Sequence, residues 1–237
     1  MKRAILAGFL VASGASIAAA DVYADNVGNH LAGGDLHDFF QSQGFDHLDI
    51  VQVEVTNDAT NLYFDIQLNA DIDATNWGNY IVALDNGSGV ASDNPWGPRP
   101  MDWNGQAISH WIGSWANDGG SAIGGQLWEH DGFGWNQTGG LSSADDSQHA
   151  SGHQIFSITL AELGVGVGDT ILFDVMTSGG GGTDPGVDHL SRSDFTTDDW
   201  GVGSTAGAFL SYTIVPAPSG VALLALGGLA ATRRRRS

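Results

Sequence analysis

Two runs of strict alternation constrain this chain more than anything else in it. Val51, Val53 and Val55 alternate with Gln52 and Glu54, and further on Leu62, Phe64, Ile66 and Leu68 alternate with Tyr63, Asp65 and Gln67. Successive side chains of a strand point to opposite faces, so each run presents one apolar and one wet face. A helix would scatter the same residues around its circumference. The polar cluster from Thr56 to Asn61 lies between the runs, and the pair is predicted as a hairpin with one buried face.

The pattern recurs along the chain. Tyr80 to Leu84 is a compact apolar strand ended by Asp85-Asn86-Gly87, and Ala107 to Trp115 and Ala122 to Glu129 are further strand candidates. Asp131-Gly132, between Leu127-Trp128 and Phe133-Gly134-Trp135, is predicted as a two-residue hairpin turn. Phe156, Ile158 and Leu160 alternate, as do Ile171, Phe173 and Val175, and then Ala208, Leu210, Tyr212 and Ile214. Asp35 to Phe40 reads as a short helical turn or a strand start, and Ala161 to Leu163 as one helical turn stopped by Gly164. Roughly eight to ten strands with almost no helix, and many glycines for tight turns, predict an all-β fold. The expected architecture is an antiparallel β-sandwich, jelly-roll-like.

The two ends read differently. Lys2 and Arg3 precede an apolar segment, Ala4 to Val11, and Ala18-Ala19-Ala20 offers small residues for cleavage after Ala20. Residues 1–20 are therefore predicted as a secretory signal peptide, and residues 21–214 as the sandwich domain. Residues 215–237 begin with Val215-Pro216-Ala217-Pro218-Ser219, continue with the short apolar run Val221 to Ala231, and close on Arg233, Arg234, Arg235 and Arg236. A permanent helical span needs about 20 apolar residues, more than this run supplies. The order of motif, short apolar segment and basic cluster resembles the PEP-CTERM sorting signal of exported Gram-negative proteins, with Ala217 where that family usually has Glu. The resemblance implies a short sorting helix that enters the membrane transiently. It also implies signal peptidase and an exosortase-type enzyme as processing partners, with residence in the cell envelope, on the outer surface or in the extracellular matrix.

Once the ends are set aside, the body keeps only Arg99 and Arg192 against all 27 acidic residues. Such a surface repels nucleic acid and anionic lipid and attracts divalent cations. Nearly all the acids are Asp, which is both a turn former and a calcium ligand. The chain has no cysteine, which excludes disulfides, thiolate nucleophiles and zinc–thiolate sites.

The segments Asn61-Leu-Tyr-Phe-Asp-Ile, Asn79-Tyr-Ile-Val-Ala-Leu-Asp and Phe173-Asp-Val-Met-Thr-Ser-Gly-Gly-Gly resemble the family 9 carbohydrate-binding modules and their DOMON-like relatives. The resemblance implies a β-sandwich that stacks tryptophans on sugar rings and is supported by calcium. It transfers fold and broad class rather than particular site residues.

Eight tryptophans lie in the body, most between Trp77 and Trp135. An indole offers a flat apolar face and one donor, suited to the C–H face of a sugar. The Pro- and Gly-rich loop from Asp93 to Asn104 places Trp96 and Trp103 near Arg99, Asp102 and Asn104, a mixture of platform and polar arms expected to bind carbohydrate. Trp111, Trp115 and Trp128, on presumed strands, read as core. In the loop Thr177 to Asp188, Asp184 and Asp188 are candidate Ca2+ ligands, although a tight glycine turn explains the same residues. Asp71-Ile-Asp73-Ala-Thr75 opens like an EF-hand but lacks its later positions. His149 and His153 lie in a Ser/Gly/Ala loop and read as solvated rather than as a metal pair.

These readings converge on an exported, non-catalytic carbohydrate-binding protein. A calcium-supported structural or adhesive protein without a specific sugar is the alternative, and a glycoside hydrolase or lyase is a third. Trp96 and Trp103 discriminate: exposed together they favour the first, buried they favour the second.

Overall fold

The computed structural model describes residues 20–217, apart from residue 76 and the segments 118–121, 140–142 and 146. The expected signal peptide and the sorting tail from Pro218 onward, with Ser219 and all four arginines, lie outside the described residues. The strands are β1 (Asp21–Ala24), β2 (Ile50–Asn57), β3 (Asn61–Leu68), β4 (Trp77–Asp85), β5 (Met101–Asp102), β6 (His110–Asn117) and β7 (Ala122–His130). They continue with β8 (Trp135–Gly139), β9 (Ser143–Asp145), β10 (His153–Thr159), β11 (Thr170–Ser178), β12 (Gly186–His189), β13 (Ser204–Thr205) and β14 (Leu210–Thr213). The one α-helical turn among the described residues, α1 (Asp38–Gln41), is capped by the His37 side chain.

The strands form two antiparallel sheets. One has the order β1-β2-β3-β10-β9, and the other β12-β11-β4-β6-β7-β8. On the edge of β11 away from β4, β12 pairs with Met176 to Ser178 and β14 pairs with Thr170 to Phe173. β5 and β13 make a short parallel ladder of their own.

The main core lies between the sheets. Val53 and Val55 of β2, Leu62, Phe64 and Ile66 of β3, and Phe156 and Ile158 of β10 meet Tyr80, Val82 and Leu84 of β4 and Ile171, Phe173 and Val175 of β11. Each such side chain contributes roughly 1.5–3 kcal/mol by leaving water. The predicted alternation therefore holds in β2, β3, β10 and β11, with one displacement, whereas Ala208, predicted to alternate with Leu210, Tyr212 and Ile214, is exposed ahead of β14. A register shift between Ile50 and Gln52 puts Ile50 in the core and leaves Val51 half-buried. A bulge of this kind exchanges the faces on either side of it.

β4 is buried on both faces, which explains its continuous apolar run. Its other face, Ile81 and Ala83, joins Trp111 of β6 and Met176 of β11 in a second cluster. The long connection between β4 and β6 covers it with Ala91, Met101, Trp103 and Ile108. A third cluster, Leu36, Phe40 and Leu48 with Val187 of β12, anchors the segment between β1 and β2.

The expected two-residue turn at Asp131-Gly132 is longer. His130 pairs with Trp135, so residues 131–134 form the loop, and the Asp131 carboxylate accepts from the amides of Phe133 and Gly134. The histidines read as solvated are engaged instead. His149 is fully buried with Nε2 2.9 Å from Gln154 Oε1, and His153 Nδ1 lies 2.7 Å from Asp65 Oδ1.

Candidate functional site

The outer face of the larger sheet is apolar at Ile81, Ala83 and Trp111, and the loop from Asp93 to Asn104 spends its own side chains covering it. Trp103 is 1% exposed, and its indole N–H donates to Asp93 O at 3.2 Å. Arg99 is also buried: Nη1 donates to Ser178 Oγ at 2.6 Å and to the carbonyls of Gly179 and Asp184. Burial lowers the Arg99 pKa, while the nearby Asp184 charge opposes that shift. Asp102 and Asn104 are exposed, and Asp102 Oδ1 accepts from the Asn104 amide, at a residue with φ +56°. The expected saccharide set Trp96, Arg99, Asp102, Trp103 and Asn104 is thus divided. Trp103 and Arg99 belong to the interior, because an apolar sheet face needs a lid and a buried guanidinium needs acceptors.

Trp96 remains half-buried and heads a row of indoles. On one face of β6, Trp111, Gly113 and Trp115 succeed each other, and the Trp96 ring fills the space above Gly113, where a Cβ would overlap it. Its centroid is 5.4 Å from that of Trp111 and 6.0 Å from that of Trp115. The Arg99 guanidinium carbon lies 5.7 Å from the Trp96 ring centroid, within cation–π range. Gln126 of β7 accepts from two indoles through one oxygen: Trp96 at 2.8 Å and Trp128 at 2.9 Å. Trp135 of β8 donates to Asp93 Oδ1 at 2.9 Å. Trp96, Trp115, Trp128 and Trp135 are all half-buried. Of the three strand tryptophans expected in the core, only Trp111 is fully buried.

Beside this row lies an open groove of about 530 Å³, lined by Asp93, Asn94, Pro98, Asp102 and Ser204 among others. At its wall, Asp174 Oδ2 lies 2.7 Å from His189 Nδ1, and His189 Nε2 lies 3.1 Å from Ser204 Oγ. This is the connectivity of a Ser-His-Asp relay. All three residues are nonetheless buried, and Ser204 Oγ accepts from the Gly186 amide at 3.0 Å. The hydroxyl is occupied as a link between β12 and β13.

Asp184 and Asp188 are not brought together as a ligand pair. The Asp184 carboxylate turns back to the Gly181 amide at 2.7 Å. Asp188 is buried, and its Oδ2 accepts from the Ile50 amide at 2.7 Å. Its neighbours are acids that the sequence reading did not single out: oxygens of Asp25, Asp35 and Asp188 all lie within 4.8 Å of one another. Burial, followed by the Asp35 charge, raises the Asp188 pKa well above the usual carboxylate range. Burial likewise raises Asp25 and Asp35. Asp49 flanks the group and is pushed up to about 7, chiefly by burial, against hydrogen bonds from Asn69 and Gly28. The available signal was position: Asp49 stands between Leu48 and Ile50, and Asp188 follows Val187, apolar surroundings in which a solvated acid is out of place.

Comparison with protein-family models, curated proteins and solved structures found no match to this chain.

Proposed function

We propose that this is an exported, non-catalytic β-sandwich protein of the cell envelope or extracellular matrix. In this reading the 215–237 sorting signal delivers it, and the outer face of its larger sheet binds saccharide. The observation that carries the binding reading is the row of half-buried indoles, Trp96, Trp115, Trp128 and Trp135, with two of them fixed through Gln126 and a third through Asp93. Rings held by hydrogen bonds at their N–H edge lose little freedom when a sugar stacks on them. The open groove beside Asp93 and Asp102 adds polar groups that could orient hydroxyls.

Calorimetric titration of the mature protein against a polysaccharide panel tests this. Saturable heat lost in Trp128→Ala and Trp135→Ala, with melting temperature kept, is the expected result. Absence of heat with every polysaccharide would reject it. The burial of Trp103 and Arg99 favours a second reading, a structural or adhesive surface protein whose acidic sandwich is supported by cations. That is the reading a silent panel would leave.

A further inference from the structure

The fold treats its buried acids in two ways. Asp174 is fully buried and satisfied, by the His189 ring and the Ser191 amide. Asp58 accepts from the amides of Thr60 and Asn61 and from the hydroxyls of Thr60 and Tyr63. The group around Asp188 differs. Asp35 is 1% exposed with neither carboxylate oxygen hydrogen-bonded, and Asp188 Oδ1, Asp25 Oδ2 and Asp49 Oδ1 are likewise buried without a donor. Four of these orphaned oxygens belong to the close Asp25–Asp35–Asp188 group and the fifth to the flanking Asp49, and they carry a large desolvation cost unless a positive charge from outside the chain accompanies them.

No Lys or Arg among the described residues supplies it. Arg99 is committed to the Ser178–Asp184 loop. Arg192 borders the site, yet its Nε and Nη2 are held by Asp194 and its Nη1 by Thr205 O. These two are the only Lys or Arg residues among the described ones.

We propose that Asp25, Asp35 and Asp188, with Asp49 alongside, form a binding site for one divalent cation of the calcium class. Calcium takes oxygen ligands at about 2.3–2.6 Å, so two ligands on one ion stand at most about 5 Å apart, and the 4.8 Å span of this group fits that limit. The set is all carboxylate, without the imidazole or thiolate that zinc favours. Magnesium, smaller and reluctant to shed water, suits a buried cage of this kind less well. A groove of about 200 Å³, lined by Ala24, Asp25, Asn26 and Arg192, opens to solvent at the Asp25 edge of the group.

The ligands come from separate parts of the fold. Asp25 follows β1, Asp35 precedes α1, Asp49 precedes β2, and Asp188 sits on β12 of the other sheet. The ion would tie the N-terminal segment to both sheets, and its binding would be coupled to folding. This proposal does not depend on saccharide binding.

The mature protein, stripped with EDTA, is titrated with CaCl2 while its melting temperature is followed, and bound calcium is counted by equilibrium dialysis. One tight ion per chain and a rise of roughly 5–10 °C at a hundredfold excess over Kd are expected. Asp25→Asn and Asp35→Asn should abolish both, yet fold at least as well as the stripped wild type, because repulsion is relieved. Asp71→Asn/Asp73→Asn should change neither. Failure of the stripped protein to respond to calcium would overturn the proposal and leave protons as the neutralising species. Full response in both single variants would overturn the location, and an equal response to MgCl2 would overturn the calcium class. If Asp35→Asn does not fold, the more exposed Asp25→Asn still decides.

Discussion

Trp96 lies across Gly113, its six-membered ring occupying the volume that a Cβ at that position would need. The glycine is therefore what lets a loop indole reach the sheet between Trp111 and Trp115. Gly113→Ala should expel the Trp96 ring, cost about 1–3 kcal/mol as overpacked sites do, and redden the tryptophan emission. Urea unfolding followed by fluorescence checks both effects. An unchanged midpoint and spectrum would refute the contact.

Asp58 closes the β2–β3 hairpin. Burial alone would raise its pKa, but hydrogen bonds from Tyr63, Thr60 and Asn61 prevail and hold it well below the ordinary carboxylate value. A depressed carboxylate contributes stability above the unfolded-state pKa and loses it as pH falls through the folded-state value. Asp58→Ala should cost about 1–3 kcal/mol at neutral pH and less in strong acid. Chemical denaturation at neutral pH and near pH 2 measures the difference.

His47 is fully buried between Phe45 and Trp77, and burial lowers its pKa to about 4. The unfolded chain takes up a proton near pH 6.5 that the folded chain refuses, so this residue costs stability increasingly as pH falls from about 6.5 to 4. The full loss is on the order of 3 kcal/mol at most. His47→Phe should flatten that part of the stability–pH curve, and parallel denaturation series for the two proteins would show it. A curve of equal slope in the variant would place the pH dependence elsewhere.

The Asp174–His189–Ser204 chain has the connectivity of a relay but an enclosed hydroxyl. A fluorophosphonate probe should leave Ser204 unlabelled, and Ser204→Ala should lower stability rather than any hydrolytic activity. Mass spectrometry of the treated protein decides, and stoichiometric labelling at Ser204 would overturn the non-catalytic reading.

Removing Arg233 to Arg236 should impair retention and processing of the tail in the producing cell. Immunoblots of membrane and medium fractions would report it, and identical maturation would remove the support for the sorting signal.

The strands were legible because period-two alternation needs only a strand and one buried face, as in β3, where Leu62 to Leu68 fall as expected. Trp103 was not, because whether a loop indole faces solvent depends on a distant sheet face. The doubly apolar run Tyr80 to Leu84 was the one local hint that this face needed covering. The aspartate group was hidden for a different reason. Its members, Asp25, Asp35, Asp49 and Asp188, are scattered in sequence among many other aspartates, and spacing is informative only when ligands share an element. Of the four, the sequence singles out only Asp188 as a candidate ligand, and the structure places it beside Asp25 and Asp35 rather than Asp184.

Asn57, at the end of β2, holds Tyr212 Oη through its side-chain oxygen at 2.8 Å, and the same carboxamide bonds both the amide and the carbonyl of Val215. Val215 is where the proposed sorting tail begins. A chain tethered beyond that point would transmit tension first to this carboxamide and then to β14, whose four residues pair with β11. If the proposed sorting tail holds the protein at a membrane, Asn57 would serve as a strain relief, like the clamp where a cable enters its housing, and would set how hard the chain can be pulled before the sheet begins to unzip.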